Sequence, residues 1–453
     1  VIKRRVSHLT AVMQHGNITK NCIYYTVITV LGVIMGDKWE ELFSHRAQQM
    51  KASDIRELLK LVQQHDIISF AGGLPNPLAF PTKEITEITQ DILNNDAANA
   101  LQYGPTEGIK PLRQKIAERM QKKGIECDES QVIVTTGSQQ ILDLVSKVFL
   151  NRKDIAIASA PSYLAGLSAF MSYEGKVEQT PMDSQGVLTD VLRERIHSIH
   201  RHGGNIKFIY VLPTFHNPAG VTMPEKRRKD VIDIAKDYDL LIVEDDPYSE
   251  LRYTGTELKP IKAFDDEGRV IYTSTFSKIL TPGLRVGWSV ADPEITRKIV
   301  IAKQATDLCT STFNQYIAYE YMARGYIDKH IPKIKELYGR KMRIMLDAMK
   351  KYFPKSVKWT EPEGGMFIWA SLPNAGKIDT REMLKEALVE KVAYVPGTGF
   401  YVDGSGKNCM RLNFTHPEDN DIVTGVKRLA KVIENELTKS KEYKFLDTAP
   451  IGV

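Results

Sequence analysis

The chain has 453 residues, 42% of them apolar and 26% charged, an ordinary balance for a soluble globular protein with room for two domains. Its formal net charge of +5 is mild for that length and argues against a nucleic-acid binder. Most of that charge comes from Lys3, Arg4, Arg5 and Lys20, in a stretch over 1–34 that holds no acid.

Within that stretch "NCIYYTVITVLGVI" is apolar, so a signal peptide must be considered. It is short for a spanning helix and lacks a small-x-small cleavage site. The next segment, "MGDKWEELFSHRAQQMKASDIRELLK", reads as the start of a soluble domain. The sequence is therefore read as a non-native or upstream extension over 1–34, with Met35 as the start: the codons of Gly-Val-Ile can spell a ribosome-binding site. The cysteines Cys22, Cys127, Cys309 and Cys409 are scattered without a C-x-x-C pair, which fits a reducing, cytoplasmic compartment and no structural zinc.

From about residue 110 short apolar runs alternate with amphipathic stretches. "QVIVTTGS" runs into "QQILDLVSKVFL", and "DIAIASAPSY", "KFIYVLPTF", "LLIVEDDPY", "RVIYTSTFSK" and "RVGWSVAD" come after it. Near-continuous apolar runs mark strands covered on both faces. The pattern of these six runs predicts an α/β layer with a mainly parallel sheet covered by helices. Long helices then run to about 352, and a strand-rich stretch comes next ("VKWTEPEGGMFIWASLP", "VAYVPGTGF", "CMRLNFT"). The predicted division is an arm and part of a small α+β domain over 36–75, a large domain over 76–325, the rest of the small domain over 326–440, and a tail over 441–453. Ligands of such sheets bind beyond the carboxyl ends of strands, where nearly every polar cluster of this chain falls.

"TTGSQQ" opens a helix after a strand, so amides near Gly137, Ser138 and Gln139 can face an anion, although taken alone the motif reads first as Ser138 in a plain N-cap. "DGSGKN" is no P-loop, since G-x-x-x-x-G-K-[ST] does not occur. "FHNPAG" is by default a turn. "VEDDPYSE" gathers Glu244, Asp245 and Asp246 at the end of an apolar run, with no histidine near to favour a metal. His197, His200 and His202 read as a solvated helix end. In "TSTFSKILTPGLRVGW" a lysine follows a strand, with Thr275 and Ser277 before it and Arg285 after. Partial burial turns a lysine into a nucleophilic amine, and an arginine fork suits a phosphate. Gly283 and Gly287 are read as letting the backbone turn and pack closely there. An imine-forming lysine, phosphate anchors and a carboxylate for a pyridine nitrogen are the set that pyridoxal 5′-phosphate requires.

"NPAG", "DDPY", "TFSK", "GLRVG" and "RLNF", in this order, resemble the fold-type I aminotransferases of class I/II over roughly 50–440. "AGGLPNPLAFP" is similar to the branch holding 2-aminoadipate, kynurenine and archaeal aromatic amino-acid aminotransferases. The resemblance implies a seven-stranded sheet in the large domain, and that Lys278 carries the cofactor as a Schiff base. Asp245 would pair with the pyridine nitrogen, and Tyr248 and Asn217 would bond the phenolic oxygen. Tyr163 would lie over the ring, while Ser138, Gln139, Thr275, Ser277 and Arg285 would cup the phosphate. Tyr103 would reach the partner subunit's cofactor in a homodimer with active sites at the interface. Arg411 would grip the substrate α-carboxylate, assisted by Gly73, Leu74, Asn217 and Arg56, with the loop at Gly72–Pro77 and the helix of Arg56 closing over the substrate. No metal, nucleic acid or membrane is implied. The implied activity is ping-pong transfer from an aromatic or 2-aminoadipate-like amino acid to 2-oxoglutarate. Two rivals share the fold: a C–S β-lyase, and the effector domain of a transcription regulator. The regulator would need a winged-helix domain in front, and the stretch before residue 36 is too short and wrongly patterned for one. Two departures from the family pattern stand out: Ala160 where an acid is common, and "PTFHNP" in place of "PNFQNP".

Overall fold

The structure, a computed structural model, describes residues 39–50, 66–373 and 377–446. The extension over 1–34, Arg56 and the end of the tail lie outside the described residues. The chain divides into two compact units, Val1–Lys51 and Ala52–Val453. In the first, Ser44 caps the short helix His45–Gln49, its hydroxyl accepting from Ala47 N at 3.2 Å. The second carries the sheets and the candidate site.

Its strands are β1 (Ile68–Ser69), β2 (Val132–Thr135), β3 (Ile155–Ala160), β4 (Lys176–Asp183), β5 (Gly186–Val187), β6 (Ile206–Val211) and β7 (Leu241–Asp245). They continue with β8 (Val270–Thr275), β9 (Gly287–Val290), β10 (Lys358–Trp359), β11 (Phe367–Ser371), β12 (Val392–Ala393), β13 (Val395–Pro396) and β14 (Cys409–Asn413). The large sheet runs in the order β2-β9-β8-β7-β6-β3-β4-β5. It has eight strands where the family resemblance implies seven, because the two-residue β5 folds back on the end of β4. The pairings β8-β7-β6-β3-β4 are parallel, and β9 runs antiparallel to both its neighbours. Two reversals restore direction, so β2 ends on the same edge as β8, β7, β6 and β3.

Alternate residues explain the unbroken apolar runs. Phe208, Tyr210, Val243 and Ile271 pack with Ile141 and Leu144 of the helix Ser138–Phe149 on one face. Ile209, Val211, Ile242 and Val270 pack with Leu192, Ile196 and Val231 on the other. Fully burying each such side chain contributes roughly 1.5–3 kcal/mol, so period-2 polarity has no place in these strands.

A second, antiparallel sheet has the order β10-β11-β14-β13, and β1 pairs in parallel with β12. The N-terminal segment is thus woven into the C-terminal third. The segment after β1 is held along its length. Ala71 O accepts from Arg411, Leu74 O from Thr415 Oγ1 at 3.0 Å, and Asn76 Nδ2 donates to Thr415 O and His416 O.

Candidate active site

The site grows from the shared carboxyl edge of β2, β3, β6, β7 and β8. At the end of β8, Thr275 Oγ1 accepts from Ser277 N at 3.1 Å and caps the 3-10 turn Phe276–Lys278. That turn presents Lys278, whose Nζ donates to Gly73 O at 3.0 Å. Burial, reinforced by the guanidinium groups of Arg411 and Arg285, pushes its pKa down from 10.5 to about 8. Much of the amine is therefore unprotonated at mildly alkaline pH.

The three acids of β7 and its loop separate by partner. Glu244 accepts from the amides of Ile261 and Lys262 at 2.7 and 2.8 Å, which caps a neighbouring turn. Asp246 accepts from Tyr272 Oη at 2.8 Å and from Ser249 N. Asp245, 2% exposed, accepts from Tyr210 Oη at 2.8 Å through Oδ2, while its Oδ1 has no partner. Burial foremost lifts the Asp245 carboxyl to about 7, against the Tyr210 hydrogen bond and with the Asp246 charge adding to the rise. A buried carboxylate with one oxygen unspent calls for a cationic donor.

Arg411 is the converse. Sequence alternation turns it away from the apolar side of β14, but all five residues of that strand are buried and Arg411 is only 4% exposed. Its hydrogen-bond partners are neutral: Asn217 Oδ1 at 2.9 Å and Ala71 O at 2.8 Å, with Nε unpaired. The guanidinium lies 4.2 Å from the Phe367 ring centroid and 5.3 Å from that of Phe400. Burial lowers its pKa to about 10. Asn217 also hydrogen-bonds Tyr248, whose phenol is pushed up by burial first and by Tyr163 and Asp245 further. Asn217 is thus the hinge between Arg411 and Tyr248.

The anion cup forms where two turns meet. Gly137, at φ +74°, occupies the N-cap of the helix Ser138–Phe149 and supplies no capping side chain. The first-turn amides of Ser138 and Gln139 consequently face outward. Ser138 is not the cap that a plain reading of "TTGS" allows. Arg285, itself in the left-handed region at φ +53°, places Nη2 3.2 Å from Thr136 O and Nη1 3.4 Å from Ser277 Oγ. A Cβ on Gly137 would strike that guanidinium, and one on Gly287 would sit 2.7 Å from Ser138 N. Gly287 is required for close approach. Gly283 is not: a Cβ there meets only Thr281 Oγ1 at 3.9 Å, so the expectation of tight packing at Gly283 is corrected.

Gln139 is used from its side chain, accepting from Tyr163 Oη at 3.3 Å and donating to Ala165 O at 3.0 Å. Leu74 is 42% exposed and Tyr103 78% exposed, and neither side chain shares a hydrogen bond with this group. His216, the departure in "PTFHNP", is buried and held neutral, its pKa pushed to about 3 by burial. Its Nε2 meets Ser159 Oγ at 2.9 Å and its Nδ1 accepts from Ala219 N, tying the Asn217 loop to the end of β3. His197, His200 and His202 are exposed. Tyr210 escapes a sequence reading because it sits in a continuous apolar run, where its hydroxyl gives no signal.

Residues 66–429 match the family of aminotransferase class I and II. An aromatic-amino-acid aminotransferase of Thermococcus litoralis is 52% identical over 402 residues, 88% of this chain and 96% of that one. A 2-aminoadipate transaminase of Thermus thermophilus is 39% identical, with 88% and 98% covered. A crystal structure of Pyrococcus horikoshii kynurenine aminotransferase, described as a complex with PMP, is 50% identical, with a TM-score of 0.86 and 89% and 99% covered. By a match that spans most of its length, the chain belongs to the class I and II aminotransferases and is a pyridoxal-phosphate-dependent transaminase.

Proposed function

We propose that this chain moves the amino group of an aromatic or 2-aminoadipate-like amino acid to a 2-oxo acid, 2-oxoglutarate being the expected acceptor, in ping-pong order. The observation that carries the reading is the buried Arg411 guanidinium, which has no carboxylate bonded to it and lies beside Asn217 and an amine of lowered pKa. The activities for which its relatives are named support the donor class.

The residues fit the cofactor that the family implies. The unspent Asp245 Oδ1 suits a protonated ring nitrogen, and the Gly137 turn with Arg285, Thr275 and Ser277 suits a phosphate. Tyr248 and Asn217 would hold the phenolic oxygen, Tyr163 the ring face, and Ser138 and Gln139 the phosphate. Pyridoxal phosphate supplies an electron sink conjugated to the substrate α-carbon. The chain supplies the rest. Arg411 binds the α-carboxylate common to donor and acceptor and fixes which bond faces Lys278. Lys278 Nζ takes the α-proton and returns it. Asp245 keeps a countercharge in place, and Phe367 and Phe400 keep water from the Arg411 fork. Tyr103 of a second copy would complete each phosphate site in a cytoplasmic homodimer, and Arg56 would join the substrate-binding residues with Gly73 and Leu74. Residues 36–75 and 326–440 would act as the small domain against 76–325. Among the described residues no helix is long and apolar enough to cross a membrane.

Arg411→Lys is expected to raise KM for both amino donor and 2-oxo acid by about 100-fold, because a point charge cannot replace a buried fork. An amine donor lacking the carboxylate should show no such difference. Equal losses for both kinds of donor would remove Arg411 from carboxylate binding. A donor panel with 2-oxoglutarate, read by glutamate formation, tests the substrate class; pyruvate and ammonia from cysteine conjugates would instead mark a lyase.

A further inference from the structure

Behind the anion cup lies a charged network, fully buried at Lys303 and partly exposed at Asp307, separate from the cofactor- and substrate-binding residues. Lys303, on the helix Pro293–Asp307, has no exposed surface. Its Nζ donates to both oxygens of Asp307, at 2.7 and 2.8 Å, and to Gln140 Oε1 at 3.0 Å. Gln140 returns from Nε2 to Asp307 Oδ2 at 2.7 Å. Thr136 is then gripped from two sides. Its N–H donates to Gln140 Oε1 at 2.8 Å, and its hydroxyl to Asp307 Oδ2 at 3.0 Å. With nitrogen and side chain held, the Thr136 carbonyl faces Arg285 Nη2 at 3.2 Å, and the next residue is the positive-φ Gly137 that opens the cup. Thr310 Oγ1 lies 3.3 Å from the Thr136 hydroxyl, which extends the network to the turn after the same helix.

From this geometry we infer that the Lys303–Asp307 pair, with Gln140, is a positioning device for the phosphate cup. It fixes the orientation of the Thr136–Gly137 turn, and hence both the outward amides and the Arg285 fork. The pair's charges cancel, so it orients the cup without placing a net charge behind it. An ion pair with its lysine buried and its carboxylate only partly exposed is a poor source of stability, since desolvation offsets much of the attraction. Its value here is directional: donors and acceptors at fixed angles hold a turn that apolar packing would leave free to rotate.

The inference rests on the pyridoxal-phosphate reading, and its test separates the two. Two variants are used: Thr136→Val, which keeps the ion pair and removes one strap, and the double variant Lys303→Met with Asp307→Leu, which removes both charges together. Binding of pyridoxal phosphate and of pyridoxal, which lacks the phosphate, is titrated by visible absorption on refolded or dialysed apoprotein. Circular dichroism and thermal unfolding of the apoprotein are recorded alongside. The expected result is that affinity for pyridoxal phosphate falls about tenfold or more in each folded variant, while affinity for pyridoxal is unchanged. Inorganic phosphate should also lose its ability to compete. Equal losses for both ligands, or no loss for either, would overturn the positioning role. If the double variant fails to fold, Thr136→Val decides the matter alone. Failure of the unsubstituted chain to bind either ligand would overturn the cofactor reading itself.

Discussion

Replacing Lys278 by alanine is expected to lower transamination by about 10,000-fold or more and to abolish the visible absorption of a pyridoxal imine. The loss is large because one amine has two tasks, covalent anchor and proton carrier, and the hydrogen bond holding it goes to a neutral carbonyl, Gly73 O. The same burial that makes the amine useful has a cost in the cofactor-free chain. Its pKa falls from 10.5 in an unperturbed lysine to about 8 in the fold, so between those values the unfolded state binds more protons. The Lys278 contribution to the stability of the free chain therefore rises with pH across that window. Below it, the buried ammonium costs roughly 1–3 kcal/mol. Lys278→Met should thus stabilise the apoprotein at pH 7 and lose that advantage above the ordinary lysine pKa, as read by denaturant unfolding at several pH values. An apoprotein destabilised by Lys278→Met at pH 7 would contradict the desolvation account.

Asp245→Asn should show the opposite separation of activity from stability. Asparagine can still accept from Tyr210 through its carbonyl oxygen, and it removes a buried charge whose second oxygen has no partner. The apoprotein should be as stable as the parent or more so. The turnover rate should fall roughly 100- to 1,000-fold, since the countercharge for the ring nitrogen is gone. Glu244 and Asp246 provide the contrast, because their oxygens are bound to the Ile261 and Lys262 amides and to Tyr272 and Ser249. Retained turnover in Asp245→Asn would remove this residue from the reaction. The two variants together distinguish a site built for chemistry from an incidental buried polar cluster.

Much of this arrangement is legible in the sequence, and the reason is geometric. A parallel sheet places every strand's carboxyl end on one edge, so Asn217, Asp245 and Lys278 can be brought together by topology before any contact is known. The features that the sequence leaves open are those decided by burial. Three adjacent acids look alike until their partners show that Asp245 alone keeps a free oxygen. Alternation in β14 suggests a solvated Arg411, whereas the pairing of β14 between β11 and β13 and the cover of Phe367 and Phe400 bury it. Lys303 and Asp307, four residues apart on a helix, have the spacing of an ordinary surface ion pair, and only the burial of Lys303 against Gln140 reveals a brace. Tyr210 is hidden for the reverse reason: a hydroxyl at the end of an aromatic ring leaves the apolar pattern of β6 intact.

The central claim, that Lys278 holds pyridoxal phosphate, is tested most directly by reducing the isolated protein with borohydride and mapping the modified peptide by mass spectrometry. The account predicts a phosphopyridoxyl group on Lys278 and on no other lysine at comparable yield. An unmodified Lys278, or the group fixed elsewhere in the chain, would contradict it.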